Sequence, residues 1–360
     1  MSENKKLTPV AIIYLDGNRL SPDWEGRVNS FRITDKLNSI GSCFIHFTCH
    51  NPEVDTDTET FPTGSNISIL LGYKDDMHEV FNGQIKASGD SLSESGTSYF
   101  TIEASSYLQP LESNVNHHRC FEDLTHSEIV EKIFSEHGFE VDCDSFGTVT
   151  ERLSQNTFTD LQFILLLTNR YGMNIYCFGK KVYIKQQITI HKGEYIYEWG
   201  KNLITFDATM GAKQQTVSVK VVGWDQLQKE SFSGECGLSD VKVKVGGTND
   251  WRSLSSGDAG ENNIHTIVDN DVVDSAEAEE IAEARMREES FKFLQGKGKT
   301  EGDAKLAAGA VATIKGANIY NGEYIATEVG HDFSFDNGYV TTFSLERNMI
   351  SDETVAALKP

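Results

Sequence analysis

Basic residues, prolines and long apolar runs are all scarce in this chain of 360 residues. Lysine and arginine together number 32 against 54 aspartates and glutamates, a net charge of −22. A field of that sign repels phosphate backbones, so direct nucleic-acid binding is not expected. An acidic surface lining a channel would instead let DNA or acidic cargo pass without adhering. Six prolines against 30 glycines suit many turns between short strands better than a Pro-rich linker architecture. The longest nearly apolar stretch, Leu161 to Leu167, is far too short to cross a bilayer. The start, Met1-Ser2-Glu3-Asn4-Lys5-Lys6, does not lead into the apolar core of a signal peptide. The expectation is a protein without a membrane-spanning segment, made and folded in a cytoplasm.

Closely spaced cysteine pairs are missing too. The six cysteines (43, 49, 120, 143, 177 and 236) form no C-x-x-C pair, so no structural zinc or disulfide framework is expected. Cys43 and Cys49 share a parity with Ile45 and Phe47, which puts all four on one side of a strand. The compact group His117-His118-Arg119-Cys120 reads as a polar linker rather than a metal site. No cofactor or metal is expected.

The chain length allows two or three domains, each with its own core. Residues 8–112 read as the first of these, an antiparallel β-barrel. Val10 to Leu15 runs into Asp16-Gly17, a strong hairpin-turn signal. Strand-like runs follow at Val28 to Thr34, Cys43 to Cys49, Asn66 to Leu71, Glu79 to Ala87 and Ser98 to Ala104. Closure into a barrel would remove the exposed edges.

Residues 113–201 read as a smaller α+β domain. Thr125 to Glu128 is a capping box with Leu124 and Ile129 as its hydrophobic staple, and the helix after it stops at Gly138. The same chemistry recurs at Thr159 to Gln162, with Phe158 and Phe163 as the staple and Gly172 as the stop. Residues 202–348 return to β, as a second barrel similar to the first. It carries an exposed insertion at 225–272 and a helix at 275–294 begun by Asp274 and Glu277; residues 349–360 read as a tail. The fold class expected is therefore mainly β with an α+β middle.

An internal echo supports two similar barrels. Gly64 to Gly72, then Asn82-Gly83, then Tyr99 to Glu103 matches Gly309 to Gly316, then Asn321-Gly322, then Tyr339 to Glu346. Each set is a strand between glycines, an Asn-Gly turn and a hairpin.

Catalytic patterns are weak. Gly89-Asp90-Ser91-Leu92 matches a short serine-esterase signature. That chemistry needs the serine at a strand-to-helix turn and a late Asp-x-x-His partner. Here the serine falls in a polar hairpin turn, and the one Asp-x-x-His, Asp123 to His126, begins a helix. No phosphate-cradling loop and no His-Glu-x-x-His occurs. Trp24, Trp199 and Trp251 are dispersed and read as core or interface anchors rather than a glycan platform. The chain is not expected to be an enzyme.

At three places the sequence resembles the phage late control gene D family, tail hub proteins related to the hub part of type VI secretion spike proteins. The C-terminal set is Gly322, Tyr324 and His331, then Gly338, Tyr339 and Thr341, then Arg347. Asp160 to Phe163 running to Gly172 is similar to the family's helix before a short strand pair. Val219 to Trp224-Asp225 is similar to its strand ending in Gly-Trp-Asp, although Gln226 stands where a proline is usual. The helix Ala276 to Leu294 is followed by Gly302 and by Leu306 to Gly309 in the expected order.

The resemblance implies a structural hub of a contractile tail or injection-particle baseplate. Such a hub is a homotrimer joining a sixfold tail tube to a threefold spike, assembled from a bacterial cytoplasm into a virion-like particle. Its partners would be itself, a tail tube protein, a separate spike protein and other baseplate proteins. The runner-up is another baseplate or distal-tail component, and behind that a tail-associated hydrolase.

Overall fold

The computed structural model describes residues 8–49, 60–74, 76–92, 98–113, 119–188, 191, 193–211, 216–225, 228–254, 263–334 and 338–358. The first block contains β1 (Pro9–Leu15), β2 (Asn18–Arg19), α1 (Pro22–Arg27), β3 (Val28–Lys36), β4 (Ser42–Cys49), β5 (Asn66–Tyr73), β6 (Asp76–Leu92), β7 (Ser98–Ser106) and α2 (Gln109–Ser113). The middle block contains β8 (Cys120–Phe121), β9 (Leu124–Thr125), α3 (His126–Glu136), β10 (Glu140–Cys143), β11 (Val149–Thr150), β12 (Leu153–Ser154), α4 (Asp160–Arg170), β13 (Asn174–Phe178), β14 (Lys181–Lys185) and β15 (Tyr195–Glu198). The last block contains β16 (Leu203–Met210), β17 (Ser218–Asp225), β18 (Glu230–Gly237), β19 (Ile264–Val268), α5 (Ser275–Phe291), β20 (Leu294–Glu301), β21 (Val311–Lys315), β22 (Gly322–Ser334), β23 (Gly338–Arg347) and α6 (Asp352–Leu358).

Local chemistry sets these elements where the sequence marked them most sharply. Asp16 and Gly17 both take positive φ, at 46° and 79°, and close the two-residue turn between β1 and β2. Both capping boxes are formed. Thr125 accepts from the backbone of Glu128 while the Glu128 side chain reaches back, and Thr159 and Gln162 do the same on α4. On α5, Asp274 accepts from the Glu277 backbone at 2.8 Å, but the Glu277 side chain turns inward instead of completing a box.

One sheet of 13 strands dominates, in the order β16-β20-β23-β22-β3-β4-β7-β6-β5-β1-β2, with β21 added on β22 and β15 on β21. Within it one strand order occurs twice. The first block supplies β5-β6-β7-β4-β3 and the last block β21-β22-β23-β20-β16, both antiparallel throughout. Each copy carries a bulge on its long second strand, at Lys86 between Ile85 and Ala87 and at Thr327 between Ala326 and Glu328.

The expectation of two separate closed barrels is corrected in one respect. The blocks are fused into one sheet by the β3–β22 pairing, and no pairing among the described residues closes either half. Asn82-Gly83 is also not a turn; it lies inside β6, opposite Ser68 and Ile67 on β5.

Among the described residues two large apolar cores follow, beside a small cluster of Leu37, Tyr176, Ile188 and Ala308. The first block buries Ile33, Cys43, Ile45, Phe47, Ile69 and Ile102 in its own core, capped by Trp24 standing edge-on to Phe47 and Phe61. The second core runs through α3, α4, α5 and the last block, joining Ile133, Phe163, Val221, Met286, Tyr324 and Phe343.

The stretch 225–272 is not the exposed excursion expected. β18 and β19 flank β17, and Cys236, Leu238, Val241, Val245, Trp251 and Val272 are buried. The expected tail is packed at its start, where buried Ile350 bridges to Asn249. No helix among the described residues is long and apolar enough to cross a membrane.

Candidate functional site

The β3–β22 joint is where the two blocks meet, and most of the C-terminal motif positions lie on or beside it. The pairing is antiparallel from Lys36 opposite Glu328 to Ser30 opposite Ser334. Phe31 stacks on Phe333 with ring centroids 5.0 Å apart. Arg32 meets Asp332 at 2.5 Å, and Lys36 lies 3.4 Å from Glu328. These pairs face solvent, so they specify register more than they add stability.

His331 points inward from this joint and is 3% exposed. Its Nδ1 lies 2.8 Å from the Tyr339 hydroxyl, and Thr341 donates to that hydroxyl at 3.3 Å. The Thr341 hydroxyl accepts from the Asp303 backbone at 2.9 Å, and Tyr197 donates to the Asp303 carboxylate at 3.0 Å. Burial pushes the His331 pKa down to about 4, against the pull of a backbone hydrogen bond to Leu306. The ring is therefore a neutral bridge between strands, placed to hold β22, β23 and the 303–306 turn together. Gly338, at φ +70°, opens β23 just before Tyr339.

A second motif group surrounds Arg347. Its guanidinium is fully buried, 4.5 Å from the Tyr324 ring centroid, and donates to the Asn321 carbonyl at 2.8 Å. Gly322 sits at φ +136°, where a Cβ would run into that guanidinium, so this glycine is needed for both reasons. Tyr324 donates its hydroxyl to the Tyr320 carbonyl at 2.7 Å. Gly309, at φ +90°, donates its N–H to Ala326 at 2.7 Å, and a Cβ there would meet Ile188.

The remaining motif positions lie elsewhere. Gly172 ends α4 at φ +62°, and Arg287 of α5 donates to its carbonyl at 2.6 Å. Trp224 and Asp225 end β17; Trp224 is half exposed, and Asp225 accepts from the backbone of Gln228 and Lys229 at 3.0 and 2.9 Å. The motif residues thus spread over four places: the His331 network, the surroundings of Arg347, the end of α4 and the end of β17.

A cleft of about 1030 Å³ lies between α4, α5 and the β22–β23 hairpin; of its lining, His126, Gly172 and Glu277 stood out in the sequence, whereas Arg170, Asp269 and Glu346 did not. Tyr171 donates to Glu277 at 2.5 Å and lies 2.8 Å from His126 Nδ1; the Val273 N–H donates to the other Glu277 oxygen at 2.8 Å. Arg170 adds a 2.7 Å pair with Asp269. Glu346, half-buried on the cleft wall, has its pKa pushed up to about 7 by burial and by Glu288. Nothing in local spacing brings these residues together, because they come from four distant segments, at His126, at 170–171, at 269–288 and at Glu346.

Of the chemistry weighed in the sequence, Ser91 lies within β6 opposite Tyr99 rather than in a hairpin turn. His117, His118 and Gln226 lie outside the described residues. Among the described residues no group of three or more His, Cys, Asp or Glu side chains could hold a metal ion.

A family model described as the Alg8 N-terminal domain matches residues 5–334. It names a different family from the one the motifs resemble. No curated protein sequence matches. Among solved structures, the chain is similar to the 43 kDa tail protein of prophage MuSo2 from Shewanella oneidensis, at TM-score 0.70 and 12% identity over 95% of this chain and 99% of that one. It is similar to a tail protein from Neisseria meningitidis, at TM-score 0.68 and 10% identity over 97% and 99%. A third is the Escherichia coli c3393 protein, a component of the type VI secretion system described as similar to T4 bacteriophage tail proteins gp27 and gp5. There the TM-score is 0.60 at 12% identity over 95% and 77%. At these identities the likeness is one of fold.

Proposed function

We propose that this chain, which belongs to the Alg8 N-terminal domain family, is a structural hub of a contractile tail or injection-particle baseplate. Three copies join a sixfold tail tube to a threefold spike. The observation that carries this reading is the repeated strand order, β5-β6-β7-β4-β3 and β21-β22-β23-β20-β16, within one chain. A ring of three such chains presents six similar β surfaces toward a tube and three identical surfaces toward a spike, so no symmetry mismatch arises. The tail proteins that share the fold, and the motifs resembling late control gene D, support the same role.

On this reading the two β halves, 8–112 and 202–348, alternate around the ring as barrel-like units. The α+β block 113–201 faces the spike, and the motif positions from Gly172 to Thr341 hold strand and helix ends in place rather than doing chemistry. Part of the −22 charge lines the opening and keeps DNA or cargo from adhering. Native mass measurement of the full chain, with electron microscopy of the particle that contains it, tests the reading. Three copies at the tube–spike junction are expected. A stable monomer, a hexamer, or a position away from the junction would sink it, the last in favour of another baseplate component.

A further inference from the structure

The two halves of the chain carry the parts of one joint twice, but the fold uses them only once. The pairing registers make the equivalence residue by residue. After the two bulges, Glu103 opposite Ala87 corresponds to Ser344 opposite Glu328. Glu103 pairs with Phe44 and Ser344 with Lys297. Phe44 pairs with Arg32 and Lys297 with Asp207. So β16 stands in the last block where β3 stands in the first, and the Ala87–Asp90 stretch of β6 stands where Glu328–His331 stands in β22. Gly89 falls on Gly330. Within the chain, the outer edge of β3 is filled by β22. The outer edge of β16 and the matching edge of β6 beyond Ile85 have no strand partner among the described residues.

Burial records the same vacancy. Phe31 and Ile33 on β3 are buried, while their counterparts on β16, Phe206 and Ala208, are only half-buried. Val329, Gly330 and His331 on β22 are buried, whereas Ser88, Gly89 and Asp90 on β6 are half-buried or exposed. Both open edges are backbone templates of the kind folded proteins normally cover. One is the equivalent of a donor and the other of its acceptor, so they match each other and not themselves. That makes the contact head-to-tail, the type that generates rings.

We infer that β16 of one chain pairs antiparallel with the Ala87–Asp90 stretch of β6 in a second copy, repeating the β3–β22 joint between chains. The register follows from the inner joint. Thr34 opposite Gly330 and Ile33 opposite His331 become Thr209 opposite Gly89 and Ala208 opposite Asp90 of the neighbour. The inference rests on the hub reading only for the number of copies that close the ring.

Paired cysteines test it in the full chain. Residues directly opposite in an antiparallel pair have Cα atoms about 4.5–5.5 Å apart, inside the disulfide range of about 4.4–6.8 Å. Thr209→Cys with Gly89→Cys, and separately Ala208→Cys with Asp90→Cys, are oxidised mildly and run without reductant. A Cβ at Gly89 meets nothing within 4 Å and all four positions are solvent-accessible, so the fold tolerates the changes. At least one pair should give covalent species of two and three chains. The wild type, each single variant, and Thr209→Cys with Ala87→Cys, which is off register, should not. A trimer by native mass whose on-register pairs crosslink no more than the wild type would overturn the joint and leave the hub reading standing. No association at any concentration would overturn both.

Discussion

At the scale of single residues, the buried titratable groups pull stability in opposite directions with pH. His331, held neutral with its pKa near 4, disfavours the fold as pH falls below the unfolded value of about 6.5. Glu346 does the reverse. Its folded pKa of about 7 lies above the unfolded value of about 4.3, so its contribution is fully present below that value and is lost as pH rises through 7. Glu346→Gln removes this titration while keeping the side chain's size. In denaturant melts across pH, the variant should match the wild type near pH 4 and exceed it above pH 7 by about 1–2 kcal/mol, discounted for partial exposure. Glu288, the facing carboxylate on α5, should give part of the same gain when changed to Gln. A difference between wild type and Glu346→Gln that does not vary with pH would show that the carboxyl is solvated and that burial does not govern it.

At the scale of elements, α4 shows why some structure was legible in the sequence and some was not. Its cap is a signal spanning four residues, and both reciprocal bonds form at Thr159 and Gln162. Behind the cap, Asp160 is almost fully buried and binds Arg119, His137 and Gln155. Burial alone would raise its pKa; the Gln155, His137 and Arg119 donors outweigh that and hold it below the usual range. Thr159→Ala should cost about 1 kcal/mol in equilibrium unfolding, and Thr159→Ser should recover most of it. Equal losses in both would mean that the threonine methyl, and not the hydroxyl, matters.

Strand partners carry no such local signal. Arg32 and Asp332 lie 300 residues apart, and nothing near either one announces the other. The 225–272 stretch misled for a related reason. Its average composition is polar, but Cys236, Leu238, Val241 and Val245 are spaced among the polar residues and all turn inward. The repeated block was legible as an idea, whereas its alignment was not. The bulges at Lys86 and Thr327 make Gly83 the counterpart of Tyr324 rather than of Gly322.

At the scale of the whole molecule, charge and strand pairing act against each other. Every copy carries −22, so bringing copies together costs repulsion that the contact must offset. Inside the chain, the β3–β22 joint is flanked by Arg32–Asp332 and Lys36–Glu328. Across the inferred joint the equivalents are Asp207 with Ser91 and Gly211 with Ala87, which contain no pair of opposite charges. The outer joint therefore relies on backbone hydrogen bonds and on covering Phe206 and Ala208, neither of which salt weakens. Raising salt from about 0.1 M to about 1 M shortens the screening length from about 10 Å to about 3 Å. Self-association of the purified chain, followed by sedimentation or native mass, should then strengthen as salt is added. The inner joint supplies the contrast: Arg32→Ala should change folding stability by under about 1 kcal/mol, an effect that fades in high salt. If association instead weakened with salt, cross-chain ion pairs would dominate the contact, and a copy-to-copy surface other than the β16 and β6 edges would have to supply them.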